Sequence, residues 1–149
     1  CWYSRKSFFP EIKTNGGFLM KAVLNENAPR GHYSPGMLCG QTLYISGQTS
    51  ADPTTGLPAE GGFEAEMEMA LLKLESVLTA AGCDRRSVVM CRIYLPSMEL
   101  WERANKVYSA FFGDHKPARI VLSVGPLNKG CQVELEAVAE TSKKLCEDK

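Results

Sequence analysis

The sequence predicts a single α+β domain in which two helices cover one face of a sheet. Three observations carry this. Two amphipathic helical stripes are separated by a run of β-branched and apolar residues. Strand-like segments both precede the first stripe and follow the second. The chain has 149 residues, the size of one domain able to bury a core without disulfides or metals. The expected order is strand, strand, helix, strand, helix, strand, strand. Two helices cover one sheet face, so the other must meet water or another subunit.

The elements follow in turn. Phe18–Leu24 reads as a first strand and Asn25–Gly36 as a loop rich in Pro, Gly and Asn. Gln41–Ser46 alternates, with Leu43 and Ile45 on one side and Thr42 and Tyr44 on the other, as a half-buried strand does. Asp52-Pro53-Thr54-Thr55-Gly56 is a turn cluster. Phe63, Met67, Ala70, Leu71, Leu74, Val77, Leu78 and Ala81 then recur at three- and four-residue steps, the stripe of a buried helix face. Glu64, Glu66 and Glu68 lie in its first turns, where the helix dipole favours acid, and Gly82 is placed to end it. Val88–Leu95 is a dense apolar strand, and Ser97 an N-cap for a second helix carrying Leu100, Ala104, Val107, Tyr108 and Phe111 inward and stopped by Gly113. Ile120–Val124 and Cys131–Ala139 flank Gly-Pro-Leu-Asn-Lys-Gly, which suggests a closing hairpin.

Composition narrows the function. Lys+Arg and Asp+Glu are both 17, for a net charge of zero, without the basic excess of proteins held by phosphate contacts. Nucleic acid is therefore not an expected partner, and neutrality favours a defined oligomer. No apolar run approaches the roughly 20 residues a membrane helix needs. The six cysteines form no CxxC pair and fit no zinc spacing, so they read as reduced thiols of an intracellular chain, with disulfides as the alternative. Residues 20–140 read as the domain and 141–149 as a charged tail. Residues 1–19 are basic and aromatic with a single acid, and read as an extension: an organelle leader, a tail or a remnant of expression. A cytoplasmic location is expected, with a mitochondrial or other organellar one as the alternative through residues 1–19.

Strand alternation sorts the closing hairpin. Cys131, Val133, Leu135, Ala137 and Ala139 fall under the helices, leaving Gln132, Glu134, Glu136 and Val138 on the open face. Ile120, Leu122 and Val124 are expected under the helices, and Arg119, Val121 and Ser123 on the open face. A hairpin would set Arg119 beside Glu134 or Glu136. The plainest meaning of such a pair is a solvated salt bridge of about 0–1 kcal/mol.

Several motifs give it another. Asn27-Ala28-Pro29, Gly31-His32-Tyr33-Ser34, Ser46-Gly47-Gln48, Asp52-Pro53-x-Thr55-Gly56, Ala81-Gly82, Asn105 with Tyr108, Pro117-Ala118-Arg119 and Val133-Glu134-Leu135-Glu136 occur in order between Met20 and Glu140. In these the sequence resembles the RidA (YjgF) family of reactive-intermediate deaminases, also called L-PSP endoribonucleases. The resemblance implies a chorismate-mutase-like α+β sandwich, a mixed sheet with two helices on one face, and a homotrimer around a central barrel with ligands in clefts between subunits. It implies no metal or organic cofactor. It also implies hydrolysis of imines and enamines such as 2-aminoacrylate to a 2-keto acid and ammonia. The family's arginine and glutamate fall on Arg119 and Glu134, its tyrosine on Tyr33, its loop Ser-Gly on Ser46 and Gly47, and its helix asparagine on Asn105. Arg119 would grip the substrate carboxylate with a planar fork, Glu134 would activate water, and Tyr33 would donate a hydrogen bond or wall the pocket. Arg119 is expected to hold the Glu134 carboxyl low. Lys116, the Val121 two residues after Arg119, and the loop His-Tyr-Ser-Pro depart from the commoner family pattern and bear on the rim and substrate preference. The alternatives are a non-catalytic protein that binds small carboxylates or partner proteins, and an endoribonuclease.

Overall fold

A computed structural model describes residues 12–13, 19–26 and 31–141. The expected tail (141–149) and the Asn27-Ala28-Pro29 motif lie outside these residues, Thr141 apart, as does the expected extension (1–19), of which only 12–13 and 19 are described. Seven strands form one sheet: β1 (Ile12–Lys13), β2 (Leu19–Val23), β3 (Gly36–Cys39), β4 (Thr42–Thr49), β5 (Val88–Leu95), β6 (Ala118–Ser123) and β7 (Glu134–Glu140). Helix α1 (Phe63–Ala80) separates β4 from β5, and α2 (Trp101–Phe112) separates β5 from β6. The spatial order is β1-β2-β3-β4-β7-β5-β6. All pairs are antiparallel except β5–β6, which is parallel. This is the expected α+β fold with a mixed sheet. Among the described residues no helix is long and apolar enough to cross a membrane.

The core lies where the stripe on α1 meets the sheet. Phe63, Met67, Leu71, Leu74, Val77 and Leu78 are fully buried against Leu43, Ile45, Ile93, Leu95, Leu135 and Ala139. Burying each such side chain contributes about 1.5–3 kcal/mol. Both helices end where expected, at Gly82 and Gly113 with positive φ. Ser97 accepts a hydrogen bond from the Glu99 N–H at 3.2 Å, capping a 3-10 turn (Met98–Leu100) that leads into α2.

The two helices are tied at their exposed edges by Arg103, whose Nε and Nη2 donate to the Glu64 carboxylate at 2.7 and 2.6 Å. Those bonds bring the Glu64 carboxyl down from 4.5 to about 2. A depressed carboxyl contributes stability above its unfolded pKa and loses it as pH falls toward the folded value, here between 4.5 and about 2. Arg103→Met is expected to return the Glu64 midpoint toward 4.5 in a carboxyl NMR titration; an unmoved midpoint would assign the shift elsewhere.

Three expectations need correction. The loop over Asn25–Gly36 ends one residue early, because Gly36–Cys39 is a strand whose pairing with both β2 and β4 outweighs its brevity. The last strand begins at Glu134, preceded by a turn over Asn128–Gly130 that holds Lys129 at φ 58°. Most consequential, β6 and β7 form no hairpin. β5 lies between them, paired parallel to β6 and antiparallel to β7. A central strand must pair along both edges to satisfy its backbone, and β5 does so with β6 through the α2 crossover.

Candidate active site

On β4 the ladder to β7 is interrupted. Ile45 pairs with Ala137 and Gln48 with Leu135, so Ser46 and Gly47 together face one residue, Glu136. A bulge of this kind re-aims the chain and frees backbone from the ladder. The Ser46 hydroxyl donates to the Ser34 carbonyl at 2.6 Å, and its N–H to the Pro35 carbonyl at 3.0 Å. These bonds dock the loop carrying Tyr33, a ring 54% exposed, onto the bulge. The Glu134 carboxylate lies against Gly47: a Cβ there would come within 3.0 Å of its Oε1. Tyr33, Ser46, Gly47, Lys73, Asn128 and Glu134 are among the residues lining a cavity of about 950 Å3.

Glu134 is half-buried, and its carboxyl is raised above the ordinary carboxylate value, first by burial, with Lys73 opposing and Glu136 reinforcing the rise. Within the chain the positive charge that acts on Glu134 is that of Lys73 and not the expected Arg119, and burial outweighs it. Lys73 was not among the sequence candidates. It donates to the Thr49 and Ala51 carbonyls at 2.8 and 3.1 Å. A signal existed, because Glu66 and Lys73 stand seven residues apart, so two turns place both ionisable groups beside the buried stripe of α1. Glu66 is buried and accepts from Ser50 Oγ, Gln132 N and Gln132 Nε2. It fastens the end of β4 to the segment entering β7, on which Glu134 depends.

Arg119 stands elsewhere. Its register partner on β5 is Cys91, which is fully buried, so Arg119 lies on the helix side of the sheet. Its Nη1 donates to Asn105 Oδ1 on α2 at 2.8 Å. The guanidinium carbon lies 4.9 Å from the Tyr108 ring centroid and 5.7 Å from that of Trp101. Two cation–π faces and a hydrogen bond thus hold it on α2. Val121, two residues on, packs partly buried against the core. Below them the Cys91 thiol is pushed up to about 12 by burial, which makes it a core thiol and not a nucleophile.

The expected facing of β6 is therefore inverted. Ile120 and Leu122, 41% and 42% exposed, are the residues on the open face. Glu134 pairs with Tyr94 on that same face, two strands away from β6. The guanidinium that meets a β7 carboxylate is Arg92, whose Nη1 lies 3.2 Å from Glu136 Oε1, with the Tyr94 hydroxyl donating to the same oxygen at 2.8 Å. The structure thus brings Tyr33, Ser46, Gly47 and Glu134 together, and separately Arg119, Asn105 and Val121. It does not bring the two groups together within one chain. Among the described residues no group of three or more His, Cys, Asp or Glu is placed to hold a metal ion.

The model of the family described as Endoribonuclease L-PSP matches residues 24–141. The chain belongs to this family, that of the RidA and YjgF proteins. It is 38% identical over 109 residues to a human protein named 2-iminobutanoate/2-iminopropanoate deaminase, covering 73% of this chain and 80% of that one. It is 34% identical over 123 residues to a RutC family protein of Pyrococcus horikoshii, covering 81% and 98%. The E. coli YjgF structure superposes with a TM-score of 0.74 at 30% identity, over 80% of this chain and 98% of that one. E. coli TdcF, solved with bound serine, gives 0.76 at 26%, over 82% and 99%. For this RidA-family chain, sequence and fold thus agree on one lineage, and the deaminase name recurs among its mammalian relatives.

Proposed function

We propose that this RidA-family protein is a hydrolytic deaminase of 2-imino and enamine acids such as 2-aminoacrylate, and that each active site is completed between neighbouring protomers of a homotrimer. The observation that carries the reading is the half-buried Glu134 carboxylate seated on Gly47 in the wall of a large cavity. The deaminase names of relatives 36–38% identical support the reaction class. The assembly is supported by the two half-sites, each ordered and each incomplete, and by the open sheet face, where Tyr44, Ile120 and Leu122 are 41–53% exposed.

In the assembled cleft Arg119 of one protomer takes the substrate carboxylate, its orientation fixed by Asn105 and the α2 rings. The neighbour contributes Glu134, Tyr33 and the bulge at Ser46-Gly47. Glu134 accepts a proton from water as the oxygen adds to the imine carbon. With the imine protonated, the adduct is a neutral carbinolamine; Glu134 returns its proton to the nitrogen, the C–N bond breaks to release ammonia, and the hydroxyl proton passes to the Glu134 carboxylate as the C–O bond becomes the ketone of the 2-keto acid. Burial, by raising the Glu134 carboxyl, makes its carboxylate a better proton acceptor. No further co-reactant is needed.

The test couples the protein to a serine or threonine dehydratase with semicarbazide present to trap the released imine. The protein is expected to divert imine to 2-keto acid and so reduce trapping. Binding of small carboxylates with no change in trapping would replace the proposal with a non-catalytic, ligand-binding role.

A further inference from the structure

Lys73 shares the cavity wall with Glu134, and it is held there. Its stem leaves α1, and its ammonium donates to the carbonyls of Thr49 and Ala51 at the end of β4. Thr49 is the register partner of Glu134 across the β4–β7 ladder. Lys73 and Glu134 both line the cavity. An ammonium has three donors, so two neutral carbonyls fix its position without cancelling its charge. The other charged or titratable groups on the elements around the carboxylate are Glu136 on β7, Tyr94 and Arg92 on β5, Glu66 on α1, Asp52 after β4, Lys129 and Cys131 before β7, Glu26 and Tyr33 on the cavity wall and, in the proposed assembly, the neighbouring protomer's Arg119. Glu136 is already engaged by Arg92 and Tyr94.

We propose that Lys73 is a positioning residue for the reaction: clamped on the Thr49 and Ala51 carbonyls, across the ladder from Glu134 and on the same cavity wall, its ammonium favours the carboxylate that takes a proton from water. The inference rests on the proposed role of Glu134 as the base. With its ammonium committed to those carbonyls, Lys73 acts through Glu134. Desolvation of Lys73 lowers its own pKa while Glu134 raises it, the reciprocal of its effect on the carboxylate.

Lys73→Gln keeps an amide donor for the carbonyls and removes the charge, whereas Lys73→Arg keeps both. Two readouts are taken on each: the pH profile of kcat/KM for imine hydrolysis, and the Glu134 midpoint from 13C-carboxyl NMR. In Lys73→Gln the acid limb and the NMR midpoint are expected to move up together by about one pH unit, the size of effect an adjacent opposite charge exerts. That is about a tenfold loss of kcat/KM on the acid side with the alkaline plateau retained. In Lys73→Arg both are expected to stay near their wild-type positions. Unmoved values in Lys73→Gln, or equal movement in both variants, would overturn the proposal. Should Lys73→Gln not fold, the coupling is read from the other end. Glu134→Gln is expected to lower the Lys73 midpoint in side-chain NMR, because linkage is reciprocal, and an unchanged Lys73 would be equally decisive against it. The NMR titrations need no turnover. A wild-type protein that hydrolyses no imine would thus refute the proposed function while the Lys73–Glu134 coupling is still decided.

Discussion

Arg119→Ala is expected to lower kcat/KM for imine hydrolysis by about 10²–10³-fold, the loss of a charge-assisted, two-pronged grip on the substrate carboxylate. Arg119→Lys is expected to recover only part of this, because a point charge does not orient a carboxylate as a planar fork does. The sharper result comes from mixing. Arg119 faces α2 and Glu134 lines the cavity on the other side of the sheet, so the proposed site takes one residue from each of two neighbours. Arg119→Ala and Glu134→Ala are each expected to be nearly inactive alone. Mixed by co-refolding in equal amounts, they should regain about a quarter of wild-type activity, since a site works when each of its two contributors is, with probability one half, the protomer carrying the needed side chain. Intact trimers of both variants that stay inactive after subunit exchange would show that the site is not shared, and the composite arrangement would fall.

The separation of Arg119 from Glu134 was hidden in the sequence by a specific ambiguity. Alternation over Cys131–Ala139 correctly put Leu135, Ala137 and Ala139 under the helices and Glu134 and Glu136 outside, because that strand has one apolar and one largely polar side. On β6 the same logic failed. Ile120 and Leu122 are apolar, so they were assigned to the core, yet they sit exposed on the open face while Arg119 takes the helix side under two aromatic rings. Alternation gives the period of a strand but not which side is inside when both sides carry apolar residues. Nor does a six-residue loop reveal whether the strands it joins pair with each other or straddle a third. That β5 does so depends on long-range pairing, which leaves no local mark.

The helices were legible almost to the residue, because a stripe such as Phe63–Leu78 tolerates only one face inward and glycine ends each helix. The site residues were legible as identities through the motifs and not as an arrangement. Lys73 was missed because a lysine beside an apolar stripe ordinarily lies along the surface with its charge in water. Only the bend of the chain over Thr49–Ala51, which offers the Thr49 and Ala51 carbonyls, captures it.

Gly47→Ala carries the second large expected effect, and its cause is space rather than backbone conformation, since Gly47 is not among the glycines with positive φ. One added methyl would lie within 3.0 Å of Glu134 Oε1, closer than carbon and oxygen approach without bonding. Either the carboxylate swings out of its seat or the β4 bulge shifts, and both displace the proposed base from its contact with Gly47. The colliding oxygen is the free end of a flexible, half-buried side chain, so the expected stability loss is under about 1 kcal/mol, below the scale of core overpacking. A fall in kcat/KM of about 10²-fold is also expected, because misplacing a catalytic group by about an ångström costs that much. The two losses separate in a double-mutant cycle. Adding Glu134→Ala to Gly47→Ala removes the colliding oxygen, so denaturant unfolding should show most of the lost stability returning, with a coupling of about 0.5–1 kcal/mol, while activity stays lost. Strict additivity would mean that the carboxylate does not rest on Gly47. The cavity would then lose the contact that fixes its base, and Glu134 would be one more half-buried acid on a sheet.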